Sequence, residues 1–251
     1  MGKMSLFNDN IKKITLKEFL VVFLLLFLIQ SSLNIFDIAH IPSYWIYILL
    51  IFYFIYKSRG YFKYIKADIS DVFKLNNIKD ILYIVVLNIF ISYAFLYLSD
   101  YIIAVFPDIT FFTKSIAFTT LFSTIFISPI SEEFIFRGVF LNRFKLIVPH
   151  VFAVILSSLI FASLHSYGSI FSAFIFSISI SVLYLKSENI FIPVFAHFLN
   201  NLIAEVVFIF DSTRIIFNNN YIFYIISFLA VLSFILILNY IVKELNTIKM
   251  K

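Results

Sequence analysis

The chain has no cysteine, which excludes disulfides, thiolate metal sites and a cysteine nucleophile. Charge is scarce as well: 13% of the residues are Asp, Glu, Lys or Arg, against about 25% in a soluble domain. No internal repeat and no low-complexity linker is visible, and the His-Glu-x-x-His signature of soluble zinc peptidases does not occur. What fills the space is apolar. Hydrophobic residues make up 62% of the 251, and the mean hydropathy is +1.03. This is the composition of an all-α, polytopic membrane protein with room for about eight spans of about 20 residues and none for a separate soluble domain. A single membrane domain over residues 1–251 follows. The 35 Phe and 15 Tyr are expected to be lipid-facing and interfacial rather than a ligand cage. Heavy use of Phe, Ile, Lys and Asn suggests a low-GC bacterial source.

Residues 1–17 are a basic, mildly polar lead, followed by a first apolar run from Phe19 to Ile29. A secretory signal has that outline, but no clear A-x-A site follows and further runs do. These are Ile41 to Tyr56, Ile81 to Leu98, about 115–130, within 149–166, within 169–185, Ile190 to about Phe210, and Tyr221 to Val242. The polar segment 57–79 between the second and third reads as the longest loop. Basic loops stay in the cytoplasm. With eight spans and an inside N-terminus, all Lys and Arg but Lys114 and Arg214 fall on the inner side, 17 of 19. Both termini are therefore expected in the cytoplasm of a multi-pass protein of the cell membrane. The net charge of +5 needs no nucleic-acid partner to explain it.

Against this background, Ser128-Pro129-Ile130-Ser131-Glu132-Glu133-Phe134-Ile135-Phe136-Arg137-Gly138 stands out. An ionised side chain at membrane depth costs about 2.5 to 3.5 kcal/mol on insertion scales, so such a residue marks a functional site by default. Neighbours on a helix point about 100° apart, so one Glu is expected to do chemistry and the other to meet a different partner. Glu133 and Arg137, four residues apart, can pair on one face. Pro129 is expected to kink or adjust its helix, and Gly138 to permit close packing. Further along, Phe161-Ala162-Ser163-Leu164-His165 ends one run, and His197 and Asn201 share a helix face in a later one. Glu205 lies near that face but reads as solvated or helix-pairing, and His40 and His150 as loop residues.

Glu132 or Glu133 with His165, His197 and Asn201 can hydrolyse a bond, bind an ion or relay protons. For hydrolysis, a carboxylate and an imidazole can hold and deprotonate water while imidazole and amide N–H groups stabilise an oxyanion. For a metal, one Glu and two His suit zinc. For proton-coupled transport, neither a continuous ionisable path nor repeated broken helices is evident.

Glu-Glu-x-x-x-Arg at 132–137, Phe-x-x-x-His at 161–165 and His-x-x-x-Asn at 197–201, in this order, resemble the CAAX-protease and bacteriocin-processing family, also called CPBP or Abi, across roughly residues 115–210. The resemblance implies an intramembrane endopeptidase related to the type II prenyl-protein peptidases, acting on a membrane-associated or hydrophobic peptide or protein. It implies that Glu132 and His165 activate water, that His197 and Asn201 form the oxyanion site, and that Glu133 and Arg137 support them, which suits a structural clamp. Family members are commonly labelled metalloproteases. A divalent metal such as zinc thus stays open, with Glu132, His165 and His197 as its ligands if present. The alternative is a non-catalytic regulator or immunity protein with the same fold. Hydropathy alone sets Glu132 near the cytoplasmic end of its run and His165 about 24 Å above Pro149, so the fourth helix is expected to run past Arg137 or tilt, and the fifth to start beyond Pro149.

Overall fold

A computed structural model describes residues 6–35, 44–105, 121–165, 170–211 and 219–249. His40, Lys114, Arg214 and the start of the fourth apolar run lie outside the described residues. Among the described residues there is no strand. The helices are α1 (Leu6–Ile11), α2 (Leu16–Ile35), α3 (Tyr44–Ser58), α4 (Phe62–Val72) and α5 (Leu75–Val105), then a continuous helical stretch over residues 123–144 taken together as α6, and α7 (His150–Ser163), α8 (Ile170–Ser187), α9 (Phe191–Phe210) and α10 (Asn220–Lys249). Among the described residues, four helices are long and apolar enough to cross a membrane, within Leu16–Leu33, Leu75–Leu98, Ile170–Ser187 and Asn220–Ile248; His150–Ser163 and Phe191–Val207 are shorter apolar helices.

α5, α8, α9 and α10 pack on one another, and α6 is held against α3, α7 and α9. α2 stands at the rim. Leu20, Val21, Leu24 and Leu25 on it are about half exposed, and a helix apolar on all sides is at home facing lipid.

Two segments differ from the sequence reading. The basic lead is not a polar tail: α1 and the turn after it bury Phe7, Ile11 and Ile14 in the same core as Phe54 and Phe134. Asn8 donates to the Glu188 carbonyl, and the Tyr184 hydroxyl donates to Asn8 Oδ1. The hydrophobic anchors are spaced at i, i+4 and i+7, a helical signal too short to stand out beside the four lysines of the lead. The segment 57–79 is not a loop either. It is divided among the end of α3, a 3-10 turn at Arg59–Tyr61, α4 and the start of α5, with Ile65 packed on the core and Ile69 exposed.

Gly138 is where α1 meets α6. A Cβ built there would lie 2.5 Å from Cγ2 of Ile11, a β-branched atom that cannot swing aside. Gly138→Ala is therefore expected to cost about 1–3 kcal/mol, the range for overpacking. In an Ile11→Ala background, itself destabilised by the lost core contact, the further cost of Gly138→Ala should largely vanish, read as thermal unfolding in detergent. Equal losses with and without the second change would contradict this contact.

Candidate active site

α6 begins with a π-helical turn, Ser123–Ile127, passes through an α-helical turn, Ser128–Glu133, and widens again into π geometry at Phe134–Leu141. The Ser128 N–H reaches back five residues to the Ser123 carbonyl. Pro129, which has no N–H to donate, then opens the α-helical turn at its first positions, where that donor is not needed. So Pro129 adjusts the helix by a change of winding. π segments inside α-helices are often found at functional sites.

As expected, α6 runs past Arg137; it continues to Phe144 and turns through 145–149 into α7. Glu132 thus sits about 18 Å above the turn at 1.5 Å per residue, and His165, just beyond the end of α7, comes down to the same level. The expected mismatch in depth is removed by the length of α6. α7 itself starts at His150, directly after Pro149, not later. His150 is exposed there.

The two adjacent glutamates meet the two edges of one imidazole. Nε2 of His165 and Nε2 of His197 lie 3.8 and 3.9 Å from the same atom, Oε2 of Glu132. Oε1 of Glu132 accepts from the Ser128 hydroxyl one turn earlier, whereas Oε2 is buried with no hydrogen-bond partner among the described residues. On the other edge, Nδ1 of His197 lies 2.7 Å from Oε1 of Glu133. Arg137 donates to that same oxygen at 2.9 Å, so the four-residue spacing does form an ion pair. Glu133 and Arg137 are both fully buried, at 0% exposure. The guanidinium also donates to the carbonyl and hydroxyl of Ser177 and to the hydroxyl of Ser181 on α8, and it stands 4.9 Å over the Phe161 ring.

Hydrogen-bond chemistry assigns the protons. Nδ1 of His165 lies 2.8 Å from the Phe161 carbonyl, which can only accept, so Nδ1 carries the hydrogen and Nε2 of the neutral ring is an acceptor. His197 is fixed in the same sense by Glu133. Nε2 of each ring points at Glu132. Phe161 packs against both rings, with centroids 4.3 Å from His165 and 5.8 Å from His197.

Asn201 joins from α9, one turn after His197. Its Nδ2 donates to the Thr124 carbonyl in the first π turn at 2.9 Å. Glu132, His165, His197 and Asn201 all line a cavity of about 640 Å³. Phe19, Phe23, Phe136 and Phe161 form apolar wall; Asn88, Ser92, Ser172 and Asn200 are polar. Of the two readings of Glu205, solvated or helix-pairing, burial removes the first: it is 4% exposed and lines the same cavity with Asp211. Ser128 was discoverable, four residues before Glu132; Ser177, Ser181 and Asn88 carry no such signal, since only the packing of separate helices brings them in.

As metal ligands, the three atoms facing one another have the right chemistry but not the right spacing. Tetrahedral ligands about 2.0–2.1 Å from zinc stand about 3.3 Å apart, closer than the 3.8 and 3.9 Å found. Among the described residues no group of three or more His, Asp or Glu is placed to hold a metal ion.

This arrangement, buried carboxylate and paired imidazoles opening on a cavity among apolar helices, has a counterpart among known families. Residues 114–203 match the family described as type II CAAX prenyl endopeptidase, Rce1-like. That segment, about a third of the chain, is similar to the CAAX-protease family. The match spans Glu132 to Asn201 and indicates a protease, a hydrolase, of a membrane-bound kind. No curated protein and no solved structure gives a significant match. α1 to α5 and α10 lie outside the Rce1-like segment.

Proposed function

We propose that the protein is an intramembrane endopeptidase that hydrolyses a peptide bond in a membrane-associated or hydrophobic peptide or protein, by water activated between Glu132 and His165. The observation that carries this reading is the convergence of the Nε2 atoms of His165 and His197 on Oε2 of Glu132, which has no hydrogen-bond partner among the described residues, at the wall of the cavity. A gap of 3.8 Å is too long for a direct hydrogen bond and suits a water bound to both atoms.

Glu132 takes a proton from that water as its oxygen forms a bond to the scissile carbonyl carbon. The carbonyl oxygen becomes an oxyanion, held by Nδ2–H of Asn201 and by Nε2–H of His197. Because Nδ1 of His197 is already a donor to Glu133, the second donation requires the ring to carry both protons, its charge balanced by the carboxylates on either side. Collapse of the intermediate breaks the C–N bond, and the proton held by Glu132 passes to the leaving amine. Glu133 and Arg137 hold the His197 ring in place. The domain is a single membrane unit with a catalytic core over 115–210, eight spans and cytoplasmic termini in the cell membrane.

Cleavage of quenched hydrophobic peptides by purified protein in detergent tests the reading, with Glu132→Ala and His165→Ala as comparisons. Activity lost in both variants supports it, and activity surviving in both overturns it. A strong chelator is expected to leave wild-type cleavage within about twofold, since the mechanism uses the general acid–base and oxyanion contributions alone. Loss on chelation with recovery on adding zinc would place Glu132, His165 and His197 around a metal instead. Labelling of single cysteines at 132 and 165 from opposite membrane faces would also sink the site.

A further inference from the structure

We infer that Asn88, on α5 and outside the Rce1-like segment, is a positioning residue that, through Asn200, holds the Asn201 amide in the orientation the Thr124 carbonyl selects. The inference rests on the proposed oxyanion role of Asn201.

An unbroken chain of side-chain amides crosses from α5 to α6. Asn88 Nδ2 donates to Asn200 Oδ1 at 2.9 Å, Asn200 Nδ2 to Asn201 Oδ1 at 3.4 Å, and Asn201 Nδ2 to the Thr124 carbonyl at 2.9 Å. An amide's oxygen and nitrogen look alike in outline, so orientation has to come from the partners. Here one end decides it. A backbone carbonyl can only accept, so Asn201 must turn its NH2 to Thr124 and its oxygen to Asn200. Asn200 must then present NH2 to Asn201 and oxygen to Asn88, and Asn88 must present NH2 to Asn200. Asn88 also donates to the Ser92 hydroxyl at 3.3 Å, using its second hydrogen.

The arrangement matters because Nδ2 of Asn201 has two hydrogens. One is taken by Thr124, and the other is left for the oxyanion. A rotated amide would offer oxygen there and repel the charge it should stabilise. Asn88 is 2% exposed, and its Oδ1 has no hydrogen-bond partner among the described residues. A buried amide acceptor left so is costly, and a leucine would fill the volume without it. The donor directed at Asn200 is what an apolar residue could not supply.

The test is a double-mutant cycle on a quenched peptide that the wild type cleaves, with kcat and KM measured separately. Asn201→Ala is expected to lower kcat about 100-fold, as for loss of one oxyanion donor. Asn88→Ala is expected to lower kcat about 10-fold with KM within twofold, a part of that loss because the residue acts at one remove. In the Asn201→Ala background it should change kcat less than twofold, because the group it positions is gone. Asn88→Asp, with an acceptor facing the Asn200 oxygen, should lower kcat more than alanine does.

Equal factors for Asn88→Ala in both backgrounds, or a rise in KM with kcat unchanged, would make Asn88 a packing residue and overturn the inference. An unaffected kcat in Asn201→Ala would remove the oxyanion role itself, and this inference with it. If Asn88→Ala does not purify folded, Asn88→Ser, which cannot reach Asn200 but keeps a polar group in place, takes its position in the cycle.

Discussion

Glu132→Gln is expected to lower kcat by about 10³-fold or more, within or above the range for loss of a positioned general base, while KM moves less than about threefold. The amide has nearly the carboxylate's shape, and its oxygen can still accept from the Ser128 hydroxyl, as Oε1 does now. What it cannot do is take a proton at the atom facing the two imidazoles, since NH2 stands where Oε2 stood. The change therefore removes a function of the transition state and leaves the cavity that binds substrate intact. His165→Ala should show a loss of similar kind. The double variant should fall little below Glu132→Gln, because both groups act on the same water and cannot be lost twice. Steady-state cleavage of one quenched peptide by the four proteins gives all the numbers. A Glu132→Gln protein that keeps more than a tenth of wild-type kcat would end the assignment of Glu132 as base. In cells, a binding or immunity protein would keep its phenotype in this variant, and a protease would not.

The groups proposed for this chemistry could be found in the sequence because each motif lies within one helix, where spacing gives direction. Glu133 and Arg137 at four residues apart form the expected pair, and His197 and Asn201 face one cavity. Relations between helices were not legible. Nothing in the order of residues says that His197 would touch Glu132 with one nitrogen and Glu133 with the other; that depends on the rotation of α9 against α6. Nor could hydropathy see that α6 passes Arg137 and continues to Phe144, because the Arg137 charge that ends the apolar run is fully buried. The same blindness hid Glu205, a carboxylate at the wall of the cavity that reads as solvated or helix-pairing by residue type. The lysine-rich lead concealed the three apolar side chains of α1 and its turn that close the core.

Burial of that charge sets up the largest expected effect on stability. Arg137 is fully buried, and four of its contacts run to Glu133, Ser177 and Ser181. Arg137→Met is expected to cost about 3–5 kcal/mol, the usual result of removing one partner of a buried pair. The methionine fills much of the space and is not the source of the loss. The loss comes from Glu133, left fully buried beside the His197 ring at 2.7 Å without its guanidinium partner. Arg137→Met with Glu133→Gln should recover most of the stability, because two buried charges have been replaced by neutral groups. It should not recover activity, since His197 would then face an amide and lose the charge that balances its doubly protonated form. Arg137→Lys should fall between, for an ammonium cannot hold Glu133 and reach both serines in the plane of a guanidinium fork. Thermal unfolding in detergent, with kcat on the folded fraction, separates these. A stable, active Arg137→Met protein would mean that the ion pair is dispensable and that His197 is oriented by the packing of Phe161 and Phe176 around it.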